Sequence, residues 1–209
     1  MAEEIGGEAE VCDVGDREAV DRVAAAVSDR HPRVSLLVCN AGVPGRSSFL
    51  RAEPERIDET IRVNYLGSVW CVRAFLPALE AAAPSDVVTV VSVAGVISLP
   101  TSGPYSAAKH AQAVFSRALR VELAPRRVRV HTVLPGFVET EGFPQRGVLG
   151  SRLVERLVIE PDEVAEAIVG LVGTRRRERF VPRWYRLPAL APGLVARLAA
   201  RRPYRAANS

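Results

Sequence analysis

The sequence lacks the features that would place it in several special classes of protein. No apolar run reaches the roughly 18 residues that a membrane-spanning helix needs. The first residues are acidic, with no basic segment followed by an apolar one, so we expect no secretory leader and a cytoplasmic location. Cysteine is scarce: Cys12, Cys39 and Cys71 form no C-x-x-C pair, and an odd number favours free thiols over a disulfide framework. The three histidines are scattered without metal-ligand spacing, so no metal site is expected.

Positive charge is concentrated at one end of the chain. Residues 174–209 hold ten arginines and one acid, whereas the preceding 173 residues carry 18 of the 28 basic and 23 of the 24 acidic groups. We therefore divide the chain into a main domain, 1–182, and a partly helical basic tail, 183–209. The tail has no helix-turn-helix pattern, and we expect no nucleic-acid partner. Its apolar stretch 187–200 favours packing on its own domain or a partner subunit, with peripheral contact to an anionic membrane as the alternative.

Strand-like and helix-like segments alternate along the main domain. Continuous apolar runs predict strands buried on both faces, and apolar residues repeated every three or four positions predict amphipathic helices. The predicted strands are Glu8–Cys12, Val34–Val38, Asp86–Val91, Val128–Val133 and Glu178–Val181, and the predicted helices are Asp16–Arg30, Pro54–Ala82, Gly103–Leu123 and Pro161–Val172. Strands separated by helices imply an α/β fold with a doubly wound parallel sheet. Ligands bind such sheets beyond the carboxyl ends of the strands.

The clearest chemical pattern is formed by Tyr105 and Lys109, four positions apart in a predicted helix. This spacing places the phenol and the ammonium on one helix face, where the cation is expected to lower the tyrosine pKa and create an acid/base group. Ser92, thirteen residues before Tyr105, ends a predicted strand and is placed to stabilise a developing alkoxide. Lys109 is also the only lysine among 28 basic residues. An ordinary surface pair on a helix is the alternative interpretation.

These residues, with three further segments in the same order, resemble the short-chain dehydrogenase/reductase family. The segments are Cys39–Gly42, Arg62–Gly67 and Pro135–Thr140. The resemblance covers residues 2–182 and implies a Rossmann-like oxidoreductase that moves a hydride between a nicotinamide cofactor and a carbonyl or secondary alcohol. It implies that Tyr105 is the general acid/base and that Lys109 lowers its pKa and binds the nicotinamide ribose. It further implies that Ser92 polarises the substrate oxygen and that Asn64 holds a water.

The same resemblance implies a set of cofactor contacts beyond Tyr105 and Lys109. Asp13 and Val14 are expected beside the adenine ring. The adenosine side is expected to pack against Asn40, Ala41 and Gly42. The nicotinamide is expected to lie against Pro135, Gly136, Val138 and Thr140.

One part of the family pattern is absent from these 209 residues. The family opens with a strand, a glycine-rich T-G-x-x-x-G-x-G turn, a helix and a second strand, and Gly6-Gly7 is no substitute because it precedes a predicted strand. We therefore expect an N-terminally truncated version of the domain, with a catalytically silent scaffold as the alternative to an enzyme. Because the residue after the second strand is also absent, the cofactor is expected to be NAD or NADP without distinction.

The resemblance also implies self-association, as a homodimer or homotetramer. The two long predicted helices carry apolar residues on more than one face, and one sheet covers only one of those faces. These residues include Val69, Trp70, Val72, Phe75, Val114 and Phe115. The substrate is expected to contact residues 137–158, whose apolar character favours a hydrophobic small molecule.

Overall fold

A four-stranded parallel sheet forms the centre of the molecule in a computed structural model that describes residues 2–45, 47–97, 102–140, 157–193 and Arg197. Its strands are β1 (Leu36–Cys39), β2 (Ser85–Val90), β3 (Val128–Pro135) and β6 (Glu178–Val181), in the spatial order β1-β2-β3-β6. A separate parallel pair joins β4 (Phe137–Val138) to β5 (Val158–Ile159). The predicted α/β fold with a parallel sheet is confirmed.

Helices precede, connect and follow these strands. They are α1 (Arg17–Arg30), α2 (Pro54–Ile61), α3 (Gly67–Ala81), α4 (Gly103–Leu123), α5 (Pro161–Val169) and α6 (Arg186–Ala189). Helix α1 begins after Asp16, whose carboxylate accepts a hydrogen bond from the Glu18 backbone N–H, as expected of an N-cap. No helix in the described ranges is both long and apolar enough to cross a membrane. Residues 194–196 and 198–200 of the predicted tail stretch 187–200 lie outside the described residues.

The predicted helix 54–82 contains a short π-helical segment and is not a single regular α-helix. This segment, Arg62–Leu66, lies between α2 and α3. At its end the Gly67 backbone N–H donates to the Arg62 carbonyl, five residues earlier. Isolated π turns occur frequently at functional sites because they displace side chains from the regular helical positions. Asn64 lies in the middle of this one.

The sheet is buried on both faces, and alternate residues of β2 show this directly. Val87 packs in a cluster with residues of α3 and α4, whereas its neighbour Val88 packs in a cluster with residues of α5. Because successive side chains of a strand point to opposite faces, β2 contributes to two separate hydrophobic layers. The result is a three-layer arrangement of helix, sheet and helix, with the carboxyl ends of β1, β2 and β3 at one edge.

The predicted strand Glu8–Cys12 is wrong. These residues form no strand, and Val11 is fully exposed. The segment is instead attached to α1 through Arg30, which donates to the carboxylates of Glu8 (2.9 Å) and Glu10 (2.5 Å). A short apolar segment becomes a strand only where a neighbour supplies hydrogen-bond partners, and in the described part of the chain β1 pairs on one side only.

A buried ionic cluster lies at the amino end of the sheet, opposite the edge where ligands are expected. Asp86, only 2% exposed, accepts hydrogen bonds from two Arg129 nitrogens (2.8 and 2.7 Å) and contacts His131 Nε2 (2.8 Å). Burial by itself would raise the pKa of Asp86, but the hydrogen bonds from Arg129 and His131 outweigh it and lower that pKa. The cluster joins β2 to β3.

Replacing Asp86 with asparagine is expected to lower the free energy of unfolding at neutral pH by about 3–5 kcal/mol, because a buried charge cluster loses its anion. Since the pKa of Asp86 is lowered on folding, its contribution is present above the unfolded-state pKa and disappears as the pH falls through the folded-state value. Urea unfolding measures both effects. The control is Glu80→Gln, which breaks the exposed pair with Arg126 and should cost less than about 1 kcal/mol. An Asp86→Asn variant as stable as this control would contradict the prediction.

Candidate active site

Ser92 lies just beyond the carboxyl end of β2, where the chain turns toward α4. Its hydroxyl accepts a hydrogen bond from the Ala94 backbone N–H (3.1 Å) and contacts the Pro135 carbonyl at the end of β3 (3.4 Å). The Ser92 side chain is also hydrogen-bonded to Tyr105. Ser92 is therefore held between two strand ends and the first turn of α4.

Tyr105 and Lys109 lie on the same face of α4, as their spacing predicts. The Lys109 ammonium nitrogen is 5.8 Å from the centroid of the Tyr105 ring. The loop after β1 passes very close to the Tyr105 Cβ and backbone, because a Cβ added at Gly45 would lie 2.8 Å from the Tyr105 Cβ. Gly45 is thus a residue that the sequence analysis missed, and only a residue without a side chain fits there.

The structure does not support the expected lowering of the tyrosine pKa by Lys109. Burial raises the pKa of Tyr105, and the hydrogen bond with Ser92 opposes that increase. The ammonium of Lys109 instead donates to the Val90 carbonyl (3.1 Å) and to the Gln112 side-chain oxygen (2.9 Å). The cation is thus held beside the phenol ring by other partners, so Ser92 is the group that favours the phenolate here.

Lys109 is a buried cation with few compensating charges. Its side chain is only 3% exposed, and burial lowers the pKa of Lys109 to about 7. Two of its three ammonium hydrogens are used by Val90 and Gln112. A lysine with a pKa near neutrality is typical of functional sites, because a buried charge with no direct anionic partner costs stability.

Asn64 connects the π-helical segment to the loop after β1. It is fully buried, and its amide nitrogen donates to the carbonyls of Val43 and Thr60, both at 3.0 Å. Its amide oxygen has no hydrogen-bond partner in the structure and would lie 2.7 Å from a Cβ placed at Gly42. A buried amide oxygen without a partner is costly, which points to a missing donor such as a water or ligand.

The other predicted cofactor contacts occupy the same edge of the sheet but are more loosely grouped. Asn40, Ala41 and Gly42 follow β1 directly and are exposed. The Asp13–Gly15 turn packs against the π-helical segment, and Val14 contacts Gly67 at the start of α3. The Asp13 side chain accepts a hydrogen bond from the Gly15 backbone N–H (2.8 Å). Asp13 was expected to follow a strand, but residues 8–12 before it form none.

Pro135 and Gly136 form the turn between β3 and β4. The Gly136 N–H donates to the Val181 carbonyl (2.8 Å), and a Cβ at Gly136 would lie 2.3 Å from the Tyr185 ring. Tyr185, a buried residue that the sequence analysis missed, therefore requires glycine at this position. Val138 is half-buried in β4, and Thr140 is exposed two residues later. Residues 141–156 of the predicted substrate-contacting segment lie outside the described residues.

This arrangement fits one half of a nicotinamide dinucleotide. Ser92, Tyr105 and Lys109 converge beside the Pro135–Gly136 turn, and the unpartnered oxygen of Asn64 lies in the adjoining buried region. The other half is different, because these 209 residues contain no glycine-rich turn whose backbone N–H groups would bind the diphosphate. The described side chains thus provide groups for the reacting end of the cofactor and not for its phosphates.

Comparison with known proteins gives consistent matches. A family model described as short chain dehydrogenase matches residues 2–147. The chain is 31% identical over 179 residues to dehydrogenase/reductase SDR family member 7B of Xenopus tropicalis, covering 82% of this chain and 57% of that protein. It is 34% identical over 168 residues to 17-beta-hydroxysteroid dehydrogenase 13 of Rattus norvegicus, covering 79% and 53%. The chain therefore spans little more than half the length of these relatives.

Solved structures show the same relationship. A short chain dehydrogenase from Burkholderia cenocepacia in complex with NADP aligns with a TM-score of 0.76 and 30% identity, covering 93% of this chain and 80% of that one. An alcohol dehydrogenase from Thermococcus sibiricus, complexed with 5-hydroxy-NADP, aligns with a TM-score of 0.73 and 27% identity, covering 86% and 76%. The matched region includes Ser92, Tyr105 and Lys109. This chain belongs to the short-chain dehydrogenase/reductase family.

Proposed function

We propose that the chain carries the catalytic half of an NAD(P)-dependent oxidoreductase that interconverts a carbonyl compound and a secondary alcohol. The observation that carries this proposal is the convergence of Ser92, Tyr105 and Lys109 at the carboxyl edge of the sheet. The bound nicotinamide would supply or accept the hydride. Because the chain covers little more than half of its curated relatives, the activity of the whole protein is part of the proposal.

Four side chains act in proton transfer to the substrate oxygen, each in a different role. Tyr105 donates its phenolic proton to that oxygen during reduction, and Ser92 donates a second hydrogen bond that stabilises the developing negative charge. Lys109 holds a positive charge 5.8 Å from the phenol ring and offers its remaining N–H to the cofactor ribose. Asn64 binds a water that replenishes the proton. The unpartnered amide oxygen of Asn64 supports this role.

The remaining predicted contacts are proposed to orient the cofactor. Asp13 and Val14 lie beside the adenine, and Asn40, Ala41 and Gly42 lie along the adenosine. Pro135, Gly136, Val138 and Thr140 line the nicotinamide. The proximity of Gly42 to Asn64 and of Pro135 to Ser92 supports the placement of both groups near the reacting centre.

We propose an apolar ketone or secondary alcohol as the substrate class. The apolar residues of segment 137–158 support this choice, as do the names of two relatives, 17-beta-hydroxysteroid dehydrogenase 13 and estradiol 17-beta-dehydrogenase 11. The free thiols of Cys12, Cys39 and Cys71 support a reducing compartment such as the cytoplasm. Ketone-dependent oxidation of millimolar NADPH, compared between a 17-ketosteroid and cyclohexanone, tests the proposal. Oxidation that does not depend on the ketone would contradict it.

A second copy of the chain is proposed to cover the outer face of α4, giving a homodimer that can pair further into a tetramer. Val114 and Val121 lie seven positions apart on this helix and are 63% and 75% exposed, whereas Val72 is buried in the core. Replacing Val114 and Val121 together with glutamate is expected to shift the sedimentation mass from a dimer or tetramer to a monomer. The control is Val169→Glu, since Val169 is similarly exposed (73%) but lies on α5. A monomeric wild-type chain at micromolar concentration would contradict the proposal.

A further inference from the structure

A chain of buried polar side chains extends from Lys109 into the interior of the domain. Lys109 donates to the amide oxygen of Gln112 (2.9 Å), and the amide nitrogen of Gln112 donates to the Ser68 hydroxyl (2.7 Å). Lys109, Gln112 and Ser68 are 3%, 0% and 5% exposed. A glutamine is unusual in a fully buried position, and this one has both ends of its amide occupied.

The chemistry of the two partners determines which way the Gln112 amide points. An ammonium group can only donate hydrogen bonds, so it requires the amide oxygen and not the nitrogen. Ser68 in α3 accepts from the other end and holds that orientation. Since the Lys109 ammonium has one other acceptor among the described residues, the Val90 carbonyl, Gln112 supplies half of the hydrogen bonds that hold the buried cation.

We propose that Gln112 is a positioning residue for the reaction. Its amide oxygen fixes the Lys109 ammonium beside the Tyr105 ring and keeps the amine in its charged form. This inference rests on the proposed function for the catalytic consequence, but the effect of Gln112 on Lys109 is independent of any cofactor. A hydrogen-bond acceptor directed at the charged form of a group favours that form, and its loss favours the neutral amine.

Among the residues that the structure describes, few titratable groups face Lys109, which makes the effect of Gln112 measurable. Tyr105 lies on the same helix, and the Cys39 thiol faces Lys109 from β1. Burial raises the pKa of Cys39 to about 12, so this thiol remains neutral over the range in which Lys109 titrates. The groups that face Lys109 from the other elements are neutral. They are the Val90 carbonyl of β2 and, by way of Gln112, the Ser68 hydroxyl of α3.

The alternative is that Gln112 only packs α4 against α3. In that case its useful bond is the one to Ser68, and changing the oxygen end would leave Lys109 unaffected. The two interpretations predict different results for variants at the two ends of the amide. Gln112→Leu removes both bonds, and Gln112→Glu places a negative charge at the ammonium. Ser68→Ala removes the distal bond, together with the hydrogen bond between Ser68 and Cys39, and leaves the Gln112 oxygen in place.

The chain's single lysine permits a direct test in the unmodified 209-residue protein. Lysine labelled with ¹³C at Cε gives one NMR signal, whose pH titration reports the Lys109 amine without cofactor or activity. We expect the wild-type midpoint near 7 to fall by at least about 1 pH unit in Gln112→Leu and to rise by at least about 1 unit in Gln112→Glu. Ser68→Ala should shift it by less than about 0.3 units.

Loss of a hydrogen bond directed at the charged amine is expected to shift the midpoint by about 1 pH unit. A Gln112→Leu midpoint within about 0.3 pH units of wild type would therefore overturn the proposal. If Gln112→Leu fails to fold by circular dichroism, an unchanged midpoint in a folded Gln112→Glu variant would overturn it equally. Shifted midpoints in the Gln112 variants, together with no ketone reduction by the wild-type chain, would refute the proposed function and leave the positioning role intact. Where reduction is observed, the alkaline limb of the kcat/KM pH profile should move with the NMR midpoint, because Lys109 loses its charge as the pH rises through that midpoint.

Discussion

Replacing Tyr105 with phenylalanine is expected to lower kcat/KM for ketone reduction by at least about 100-fold, the usual contribution of a positioned acid/base group. The substitution removes only the hydroxyl, which is the proton donor and the partner of Ser92. The ring remains, so the close packing of Gly45 on the Tyr105 Cβ is preserved. Because the change affects the transition state and not the fold, the thermal midpoint of unfolding should remain close to that of wild type.

The matched control is Tyr65→Phe, which removes a hydroxyl from a ring that packs edge-to-face on Phe115 (centroids 6.3 Å apart). Its kcat/KM should stay within about 2-fold of wild type, because nothing assigns this phenol to the reaction. A Tyr105→Phe variant that retains more than about a third of the wild-type kcat/KM would show that another group moves the proton.

The second large effect concerns cofactor affinity. The 209-residue chain is expected to bind NADH and NADPH weakly, with Kd in the millimolar range or above. Loss of several charge-assisted hydrogen bonds to the diphosphate, each worth about 1.5–3 kcal/mol, weakens binding by several orders of magnitude. The described residues offer no replacement, since Glu8–Cys12 does not pair with the edge strand β1, where Leu36 and Val38 are each 37% exposed.

Fluorescence titration with both nucleotides measures this affinity. The informative comparison is a fusion in which the strand, glycine-rich turn, helix and strand of the NADP-binding Burkholderia cenocepacia relative precede residue 1. This fusion should bind at least about 100-fold more tightly, because it restores a diphosphate site at a helix N-terminus. A low-micromolar Kd for the 209-residue chain alone would show that a phosphate site exists among residues that carry no such pattern.

The sequence predicted those helices whose formation depends on residues within the helix itself. Helix α4 begins and ends at the predicted residues, and α1 begins one residue after its predicted start at Asp16. The segment Glu8–Cys12 begins with alternating charged and apolar residues, as a half-buried strand would, but in the described part of the chain it has no neighbouring strand to pair with, and strand formation depends on such a neighbour. The π turn around Asn64 has no comparable sequence signal, because it arises from packing of the long helix against the loop after β1.

Sequence spacing predicted that Tyr105 and Lys109 lie together, but it did not predict the electrostatics around them. The four-residue spacing of Tyr105 and Lys109 sufficed to place them together. It could not show that the ammonium would be held by Gln112 and Val90, because one partner is a backbone carbonyl on another element. The position of Gln112, three residues after Lys109 on the same helix, was the available signal. Tyr185 contacts Gly136 only through the tertiary fold and has no such signal.

The most direct test of the account follows the hydride and the proton separately. The 209-residue chain is incubated with an apolar ketone and millimolar NADPH in which both C4 hydrogens of the nicotinamide are deuterium, and the product alcohol is analysed by mass spectrometry. We expect deuterium on the carbinol carbon with wild type and at least about 100-fold less of this product with Tyr105→Phe. Product without deuterium, or equal amounts of deuterated product from the two proteins, would contradict the assignment of this site as a hydride-transfer centre with Tyr105 as its acid.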